Sequence, residues 1–171
     1  MRSRRGTILD ATALIDFRWL KEWEWLEKYY SPLYISQELL DSDRLELETR
    51  QTASQYLTPL SLETEEMFES FIEFRIKAPL LSIGDRSTLA IARTQFLLCA
   101  SDDGLVIEIC QEYGIAYTRT LRLLTEMVQT GHKTIAEVMV MADRLIAERG
   151  KHIAPKILTN WKIQLSQYKQ N

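Results

Sequence analysis

The sequence predicts an α/β protein built around a parallel sheet. Two observations predict it. Along the 171 residues, short apolar segments of strand character alternate with longer segments in which apolar residues recur at helical spacing. This alternation is typical of βαβ units, whose strands run parallel. The chain also contains no Pro/Gly-rich linker and no internal repeat. We therefore expect one domain over residues 1–171.

The first elements follow from residues near the N-terminus. Residues 7–10 (TILD) have strand character and lead into a helical segment. Four apolar side chains in that segment share one helical face, which predicts a single helix to Tyr30: Trp19, Trp23, Leu26 and Tyr30. Pro32 ends this helix, residues 33–35 (LYI) form a second strand, and another helix begins near Ser36.

The remaining elements continue the same alternation. Residues 62–77 predict a helix in which Phe68, Phe71, Ile72 and Arg75 share a face. The elements after it are a buried helix within residues 80–94, a strand at 96–100, a helix at 105–113, a strand at 115–118 and three C-terminal helices. The spacing of Leu158, Trp161 and Leu165 marks the last of these helices. The sheet should therefore hold about four or five strands.

The composition narrows the class of protein. With 46% hydrophobic and 26% charged residues, the chain resembles an ordinary globular protein. No apolar run approaches the roughly 20 residues of a membrane helix. The spacing of its two cysteines and two histidines fits neither a disulfide framework nor a zinc site, which favours a reducing cytoplasm.

The charge is distributed unevenly along the chain. A net charge of −3 argues against a nonspecific nucleic-acid binder with a strongly basic surface. Residues 119–171, however, contain nine Lys/Arg and four Asp/Glu, so the rest of the chain carries a balance of −8. These charges form either solvated helix faces or a basic layer that faces an anionic substrate.

Carboxylates follow the predicted strands. Asp10 ends the first strand, Asp102 and Asp103 follow LLCAS, and Asp85 begins a helix. Each could simply cap a helix. Strand ends of a parallel sheet meet at one edge, however, where two carboxylates about 4 Å apart repel by roughly 4 kcal/mol at an effective dielectric of about 20. Converging oxygen ligands of this kind suit Mg²⁺ or Mn²⁺.

The motifs TILDATALI, GDRSTLAIA, LLCASDDG and GIAYTRT, in this order and spacing, resemble the PIN-domain nucleases. The similarity extends to the VapC-like bacterial toxin branch, which continues into a helical tail. The resemblance implies a three-layer α/β/α fold, with a core over about 6–130 and a helical C-terminal extension over about 131–171. It also implies Mg²⁺ or Mn²⁺ as cofactor, cleavage of single-stranded RNA, an antitoxin partner and a homodimer.

The resemblance also assigns site residues. Asp10 matches the first acid of the family, Asp85 the third and Asp103 the fourth, with Asp102 beside it. These acids would hold the metal ion, and Asp10, Asp85 and Asp103 would be the catalytic set. Thr12 and Ser101 match hydroxyl positions near the metal, although both could serve only as caps.

The second acid departs from the family pattern. The matching position is Ser42, which Asp41 and Asp43 flank at about 100° around a helix. Glu38 lies one turn earlier on the same face as Ser42, so we predict that Glu38 takes the place of the second acid. Glu38 could instead be a first-turn acid that stabilises the helix dipole, so Glu38, Asp41 and Asp43 all remain candidates.

The predicted function is hydrolysis of RNA phosphodiester bonds. The cations that would steer the RNA backbone are Arg119, Arg122, Lys133 and Lys151. The altered second acid leaves an alternative, a noncatalytic PIN-like domain that binds RNA or protein, with Trp25 and Tyr29 as contact residues. A phospho-acceptor domain is disfavoured, because Asp10-Ala11-Thr12 lacks the second carboxylate that a D-x-D phosphatase needs.

Overall fold

A five-stranded parallel sheet forms the centre of the protein. The structure, a computed structural model, describes residues 5–168. The ends of the predicted domain, residues 1–4 and 169–171, lie outside the described residues. In chain order the strands are β1 (Thr7–Leu9), β2 (Leu33–Ser36), β3 (Thr58–Leu60), β4 (Leu98–Ala100) and β5 (Tyr117–Thr118). Their order in the sheet is β3-β2-β1-β4-β5.

Helices occupy most of the remaining chain. The N-terminal half contains α1 (Ala11–Leu20), α2 (Trp23–Tyr30), α3 (Gln37–Leu40), α4 (Leu47–Tyr56) and α5 (Glu65–Lys77). The C-terminal half contains α6 (Ile83–Gln95), α7 (Gly104–Tyr113), α8 (Thr120–Gln129), α9 (Ile135–Ala147) and α10 (Pro155–Ser166).

The two faces of the sheet build two separate cores. Successive strand side chains point to opposite faces. Ile8 and Cys99 pack into the core that contains side chains of α5, α6 and α7. Leu9 and Ala100 pack into the core that contains side chains of α1, α2, α4, α8 and α9. The three-layer α/β/α prediction is therefore confirmed.

The strand order places a reversal point at the middle of the sheet. From β1 the chain moves outward to β2 and β3, with Ile35 opposite Pro59, and then returns to pair β4 with the other side of β1. In open parallel sheets, ligands bind at the carboxyl ends of strands where the order reverses. Asp10 directly follows β1, and Asp102 and Asp103 follow β4 closely.

The prediction of one continuous helix up to Tyr30 is wrong. The chain turns at Lys21, which has φ 56°, so α1 and α2 are separate helices. Trp19 is exposed as a result, whereas Trp25 is 2% exposed and donates its indole N–H to Thr130 Oγ1 at 3.0 Å. Trp25 is therefore a core residue, and only Tyr29 of the proposed contact pair is exposed.

Two further elements differ from the prediction. The strand β3 and the helix α4 were not predicted, and the helix after Ser36 is only four residues long. The helix α5 does exist, but its face with Phe68 and Ile72 is exposed, while Met67 and Phe74 are buried. Helical spacing identifies a shared face without showing whether that face meets a core.

A buried ionic cluster links the segment after α9 to α1 and to the end of β4. The carboxylate of Asp16, in the middle of α1, is fully buried. Arg149 Nε lies 2.8 Å from Asp16 Oδ1, and Lys151 Nζ lies 2.7 Å from Oδ2. Lys151 Nζ is also 3.0 Å from Asp102 Oδ2, and Thr120 donates to Asp16 Oδ2 at 2.6 Å. The segment after α9 is therefore held against both α1 and the end of β4.

None of the helices that the structure describes between residues 5 and 168 has both the length and the apolar character needed to cross a bilayer.

Replacing Lys151 with Met should strongly destabilise the protein. Lys151 is 7% exposed, and its loss would leave the buried Asp16 and the largely buried Asp102 without their shared cation. The expected loss is about 3–5 kcal/mol in the free energy of unfolding, measured by urea denaturation. Lys162→Met is the matched control, because Lys162 pairs with Asp143 near the surface and should contribute less than about 1 kcal/mol. Equal losses in the two variants would contradict the structural role of Lys151.

Candidate metal centre

Asp10 is the buried centre of the site. It follows β1 and caps α1, where its Oδ1 accepts hydrogen bonds from Ala13 N at 3.0 Å and Thr12 Oγ1 at 2.7 Å. Ser101 donates a hydrogen bond to Oδ2. Aspartate suits this position because its side chain satisfies free amides at a helix start. The same local preference therefore brings a carboxylate to the end of the central strand.

The two predicted hydroxyls connect Asp10 to the turn after β4. Thr12 Oγ1 accepts a hydrogen bond from Asp102 N at 2.8 Å, and Ser101 Oγ accepts one from Asp103 N at 3.0 Å. Each hydroxyl therefore donates to Asp10 and accepts from the turn. Together they fix the end of β4 relative to the end of β1.

Asp85 and Asp103 lie at the starts of two helices on the opposite side of the sheet. Asp103 caps α7 and accepts a hydrogen bond from Val106 N at 3.0 Å. Asp85 is in the first turn of α6, where its amide donates to the capping residue Ser82 at 3.0 Å. Helix starts carry partial positive charge and stabilise carboxylates or bound phosphate.

The three acids influence one another electrostatically. Burial raises the pKa of Asp10 to about 7; the hydrogen bonds that it accepts oppose this shift, and the charge of Asp85 adds to it. Burial also raises the pKa of Asp85, and the charge of Asp103 contributes. Among residues 5–168, no Lys, Arg or His forms an ion pair with any of these three carboxylates. These carboxylates are therefore not neutralised by ion pairs of the described residues, although the charge of Arg44 opposes the rise in the pKa of Asp85.

Of the three candidates for the second acid, Glu38 has the most suitable surroundings. Its short helix α3 packs against α6 so closely that a Cβ on Gly84 would lie 3.0 Å from Leu39 Cδ1. Glu38, Asp41 and Asp43 all line a cleft beside this contact. Glu38 Oε2 is buried and has no hydrogen-bond partner among the described residues. Asp41 is exposed and accepts a hydrogen bond from Gln37, and Asp43 is also exposed.

The chemistry of these donors fits a hard divalent cation. All are carboxylate oxygens, which Mg²⁺ and Mn²⁺ prefer. The unpartnered oxygen of Glu38 and the raised pKa values of Asp10 and Asp85 indicate groups that a cation would satisfy. Within residues 5–168, no three His, Cys, Asp or Glu side chains are close enough to form a metal-ligating group. The side chains would therefore have to move closer together to coordinate an ion.

Asp102 does not join this set. Its Oδ1 accepts from Arg119 Nε at 3.1 Å, and its Oδ2 lies 3.2 Å from Thr120 N and 3.0 Å from Lys151 Nζ. Burial alone would raise the pKa of Asp102, but Lys151, Thr120 and Arg119 hold it below its usual value. The protein itself therefore neutralises Asp102, and nothing in the structure supports it as a metal ligand.

The four predicted RNA-steering cations are in different environments. Arg119 and Arg122 line a large cleft beside the site. Lys151 also lines that cleft, but it is committed to the buried cluster with Asp16. Lys133 pairs with Glu22 at 2.9 Å, beyond the far end of α1, about 15 Å along that helix from the site. The structure therefore does not bring Lys133 to the site, and it leaves Lys151 little free charge.

Sequence reasoning missed Asp16 and Arg149, which form the ionic cluster next to the site. One signal was present, because Asp16 interrupts the apolar run of TALIDF. A charged residue on the buried face of a helix requires a partner, although the sequence does not reveal which one.

Asp10 and Asp103 thus lie near the reversal point of a parallel sheet that stands between two helical layers. A family model described as DUF3368: PIN domain matches residues 6–167. The chain therefore belongs to this PIN-domain family, and the resemblance inferred from the motifs is confirmed at the level of the family. A comparison with curated proteins found no match.

The buried Asp10 predicts a specific pH dependence of stability. Because its pKa is higher in the folded protein than the ordinary 3.8, the proton stabilises the fold at low pH. This contribution is complete below the unfolded pKa and disappears as the pH rises to about 7. In EDTA, the wild type should therefore lose about 4 kcal/mol relative to Asp10→Asn between pH 4 and 8.

Urea unfolding of both proteins at a series of pH values measures this difference. Asn keeps the oxygen that accepts from Ala13 and Thr12, and all other titrating groups are common to both proteins. Parallel pH profiles would show that Asp10 has an ordinary pKa.

Proposed function

We propose that the protein is a metal-dependent ribonuclease that hydrolyses phosphodiester bonds of single-stranded RNA. The observation that carries this proposal is the group formed by Asp10, Asp85 and Asp103 at the reversal point of a PIN-domain sheet, where none of the three forms an ion pair with a Lys, Arg or His of the described residues. Membership of the family supports a nuclease; the metal, the RNA substrate and a cytoplasmic location are our proposals.

The chain's own residues have separable tasks in this mechanism. Asp10, Asp85 and Asp103, with Glu38 as the second acid, would hold Mg²⁺ or Mn²⁺. When bound, such an ion lowers the pKa of a water molecule and offsets charge on the phosphate. Thr12 and Ser101 keep the Asp10 carboxylate in one orientation through their hydrogen bonds. The starts of α6 and α7 provide a positive potential for the phosphate.

Cleavage of labelled single-stranded RNA tests the activity. We expect cleavage with Mn²⁺, none with EDTA, and a loss of at least about 100-fold in Asp103→Asn, because neutralising one ligand weakens the metal site. Asp143→Asn is the matched control, since Asp143 is an exposed acid on α9 that pairs with Lys162. Full activity in Asp103→Asn would contradict the assignment and would indicate a contaminating ribonuclease.

The alternative is a noncatalytic binding module. It is favoured by Ser42, which stands where the family has its second acid, and by the absence of a preformed ligand group in the described part of the chain. This alternative predicts no cleavage and no rise in melting temperature with Mn²⁺. A rise that Asp10→Asn abolishes would instead support the metal centre.

We also propose that the protein is a VapC-like toxin that forms a homodimer and pairs with an antitoxin. The order of the motifs supports the toxin branch and the antitoxin. Exposed apolar side chains of α5, the turn after it and the start of α6 support the dimer: Phe68, Ile72, Ile76, Leu80 and Ile83. Acids begin α5 and Arg75 and Lys77 end it, so two antiparallel copies would place opposite charges side by side.

Ile76→Lys should convert the dimer into a monomer. Ile76 is 76% exposed on α5, and an interface with a second copy would bury the introduced ammonium group among apolar side chains. Sedimentation equilibrium measures the change. Val140→Lys, at an exposed valine on α9, is the control and should leave the mass unchanged. A wild type that is monomeric at every concentration would contradict the dimer.

A further inference from the structure

A large groove lies between the last strand of the sheet and the C-terminal extension. We name it the C-terminal groove; its volume is about 1050 Å³. Its walls come from the end of β5, the start of α8 and residues 149–164, and they include Thr12, Tyr117, Arg119, Arg122, Ile157 and Trp161. The volume is at the upper end of the roughly 300–1,000 Å³ typical of small-molecule pockets. The C-terminal groove can therefore hold a ligand at least as large as a typical small molecule.

The C-terminal groove adjoins the candidate metal centre. Thr12 lines the groove and donates a hydrogen bond to the Asp10 carboxylate at 2.7 Å. Asp102 also lines the groove and directly precedes Asp103. A chain bound in the groove would therefore pass beside residues that contact or adjoin the acids of the metal centre.

Two arginines with accessible side chains line the C-terminal groove. Arg119 and Arg122 are half-exposed or more, with 49% and 63% of their side chains accessible. In the hydrogen bonds described within residues 5–168, each uses Nε to reach an acid of its own chain. Guanidinium groups carry further N–H donors, which suit phosphate.

The rings of the C-terminal groove are held in fixed orientations. Trp161 Nε1 donates to Thr125 Oγ1 at 2.9 Å, and Tyr117 Oη accepts from Gln111 Nε2 at 2.9 Å. Aromatic rings that accompany basic groups are typical of sites for single-stranded nucleic acid, because bases stack on the rings while the cations follow the backbone.

The ionic cluster makes the wall of the C-terminal groove rigid. Arg149 and Lys151 line the groove, and both contact the buried carboxylate of Asp16. Their charges are thus used to position the wall. Arg119 and Arg122 are left as the cations available to a ligand, although Asp102 and Glu126 partly offset them.

We infer that the C-terminal groove binds a segment of the single-stranded RNA on one side of the bond that is cleaved. This inference rests on the proposed ribonuclease function. The combination of cations, aromatic rings and a hydrogen bond from the lining residue Thr12 to Asp10 favours RNA over a peptide. The C-terminal extension is then a part of the substrate-binding surface that determines affinity for RNA longer than the few nucleotides at the metal centre.

Binding of a fluorescein-labelled 12-nucleotide oligouridylate tests the inference. Asp103→Asn serves as the background in EDTA, so that cleavage cannot interfere. Adding Arg122→Glu should weaken binding at least tenfold and reduce the dependence of log Kd on log salt concentration, because one phosphate contact is lost. Lys156→Glu is the matched control, since it makes the same charge change at an exposed position of α10 that does not line the groove. It should change Kd less than twofold.

Melting temperatures of both variants establish that they remain folded. Equal Kd values for Arg122→Glu and Lys156→Glu would overturn the inference. Photo-crosslinking of a 4-thiouridine oligomer gives a second measurement: crosslinks in the peptides that contain Tyr117 or Trp161 support the groove, and crosslinks only elsewhere overturn it. Oligoglutamate tests whether the groove binds an acidic peptide instead. If Arg122→Glu binds RNA normally but no longer binds oligoglutamate, the groove belongs to a protein partner and the proposal is overturned.

The failure of this inference can be distinguished from failure of the proposed function. If the wild type cleaves RNA with Mn²⁺ but Arg122→Glu binds RNA normally, the ribonuclease stands and the groove inference fails. If no cleavage occurs but Arg122→Glu still weakens binding, the ribonuclease fails and the groove stands as a nucleic-acid site.

Discussion

The burial of Asp10 is the constraint on which the rest of the site depends. A carboxylate at the end of the central strand has lost most of its water, so the protein must supply donors in its place. Ala13, Thr12 and Ser101 supply them. These bonds determine where α1 begins and how the turn after β4 approaches β1. They stabilise the charge only in part, because the pKa stays near 7, and the remaining instability is what a bound cation would relieve.

The adjacent carboxylates after β4 serve two different purposes. Asp102 meets Arg119 and Lys151, so the protein compensates its charge internally. Asp103 caps α7, and its charge raises the pKa of Asp85. Asp103 therefore acts together with Asp10 and Asp85 as part of the candidate metal centre. A strand that turns into a helix can send two consecutive side chains in different directions. The cost of placing two acids together is reduced because only one of them remains without a cation.

The sequence was most informative where local patterns decide structure. Asp10 and Asp103 could be placed at strand ends, since apolar runs mark strands and aspartate marks the helix starts that follow. The motifs extended this to Asp85 and to the family. Long-range contacts could not be predicted. The turn at Lys21 redirects Trp25 into the core against Thr130, 105 residues away in the chain.

The same limit applies to the charged residues. Lys151 looked like a surface cation, but Asp16, 135 residues earlier, holds it inside the fold. Glu38 is distinguished from Asp41 and Asp43 by one buried oxygen without a hydrogen-bond partner among the described residues, beside the close contact between α3 and Gly84. Composition and spacing contain no information about such packing.

The edges of the sheet limit how this protein can associate. The outer strand β3 contains Pro59, which has no N–H to offer to a further strand. The opposite outer strand, β5, is only two residues long, and the C-terminal groove begins beside it. Neither edge provides a template on which another chain could add a strand. Growth of the sheet into fibrils or swapped assemblies is thereby discouraged, and association is directed to helix surfaces and grooves.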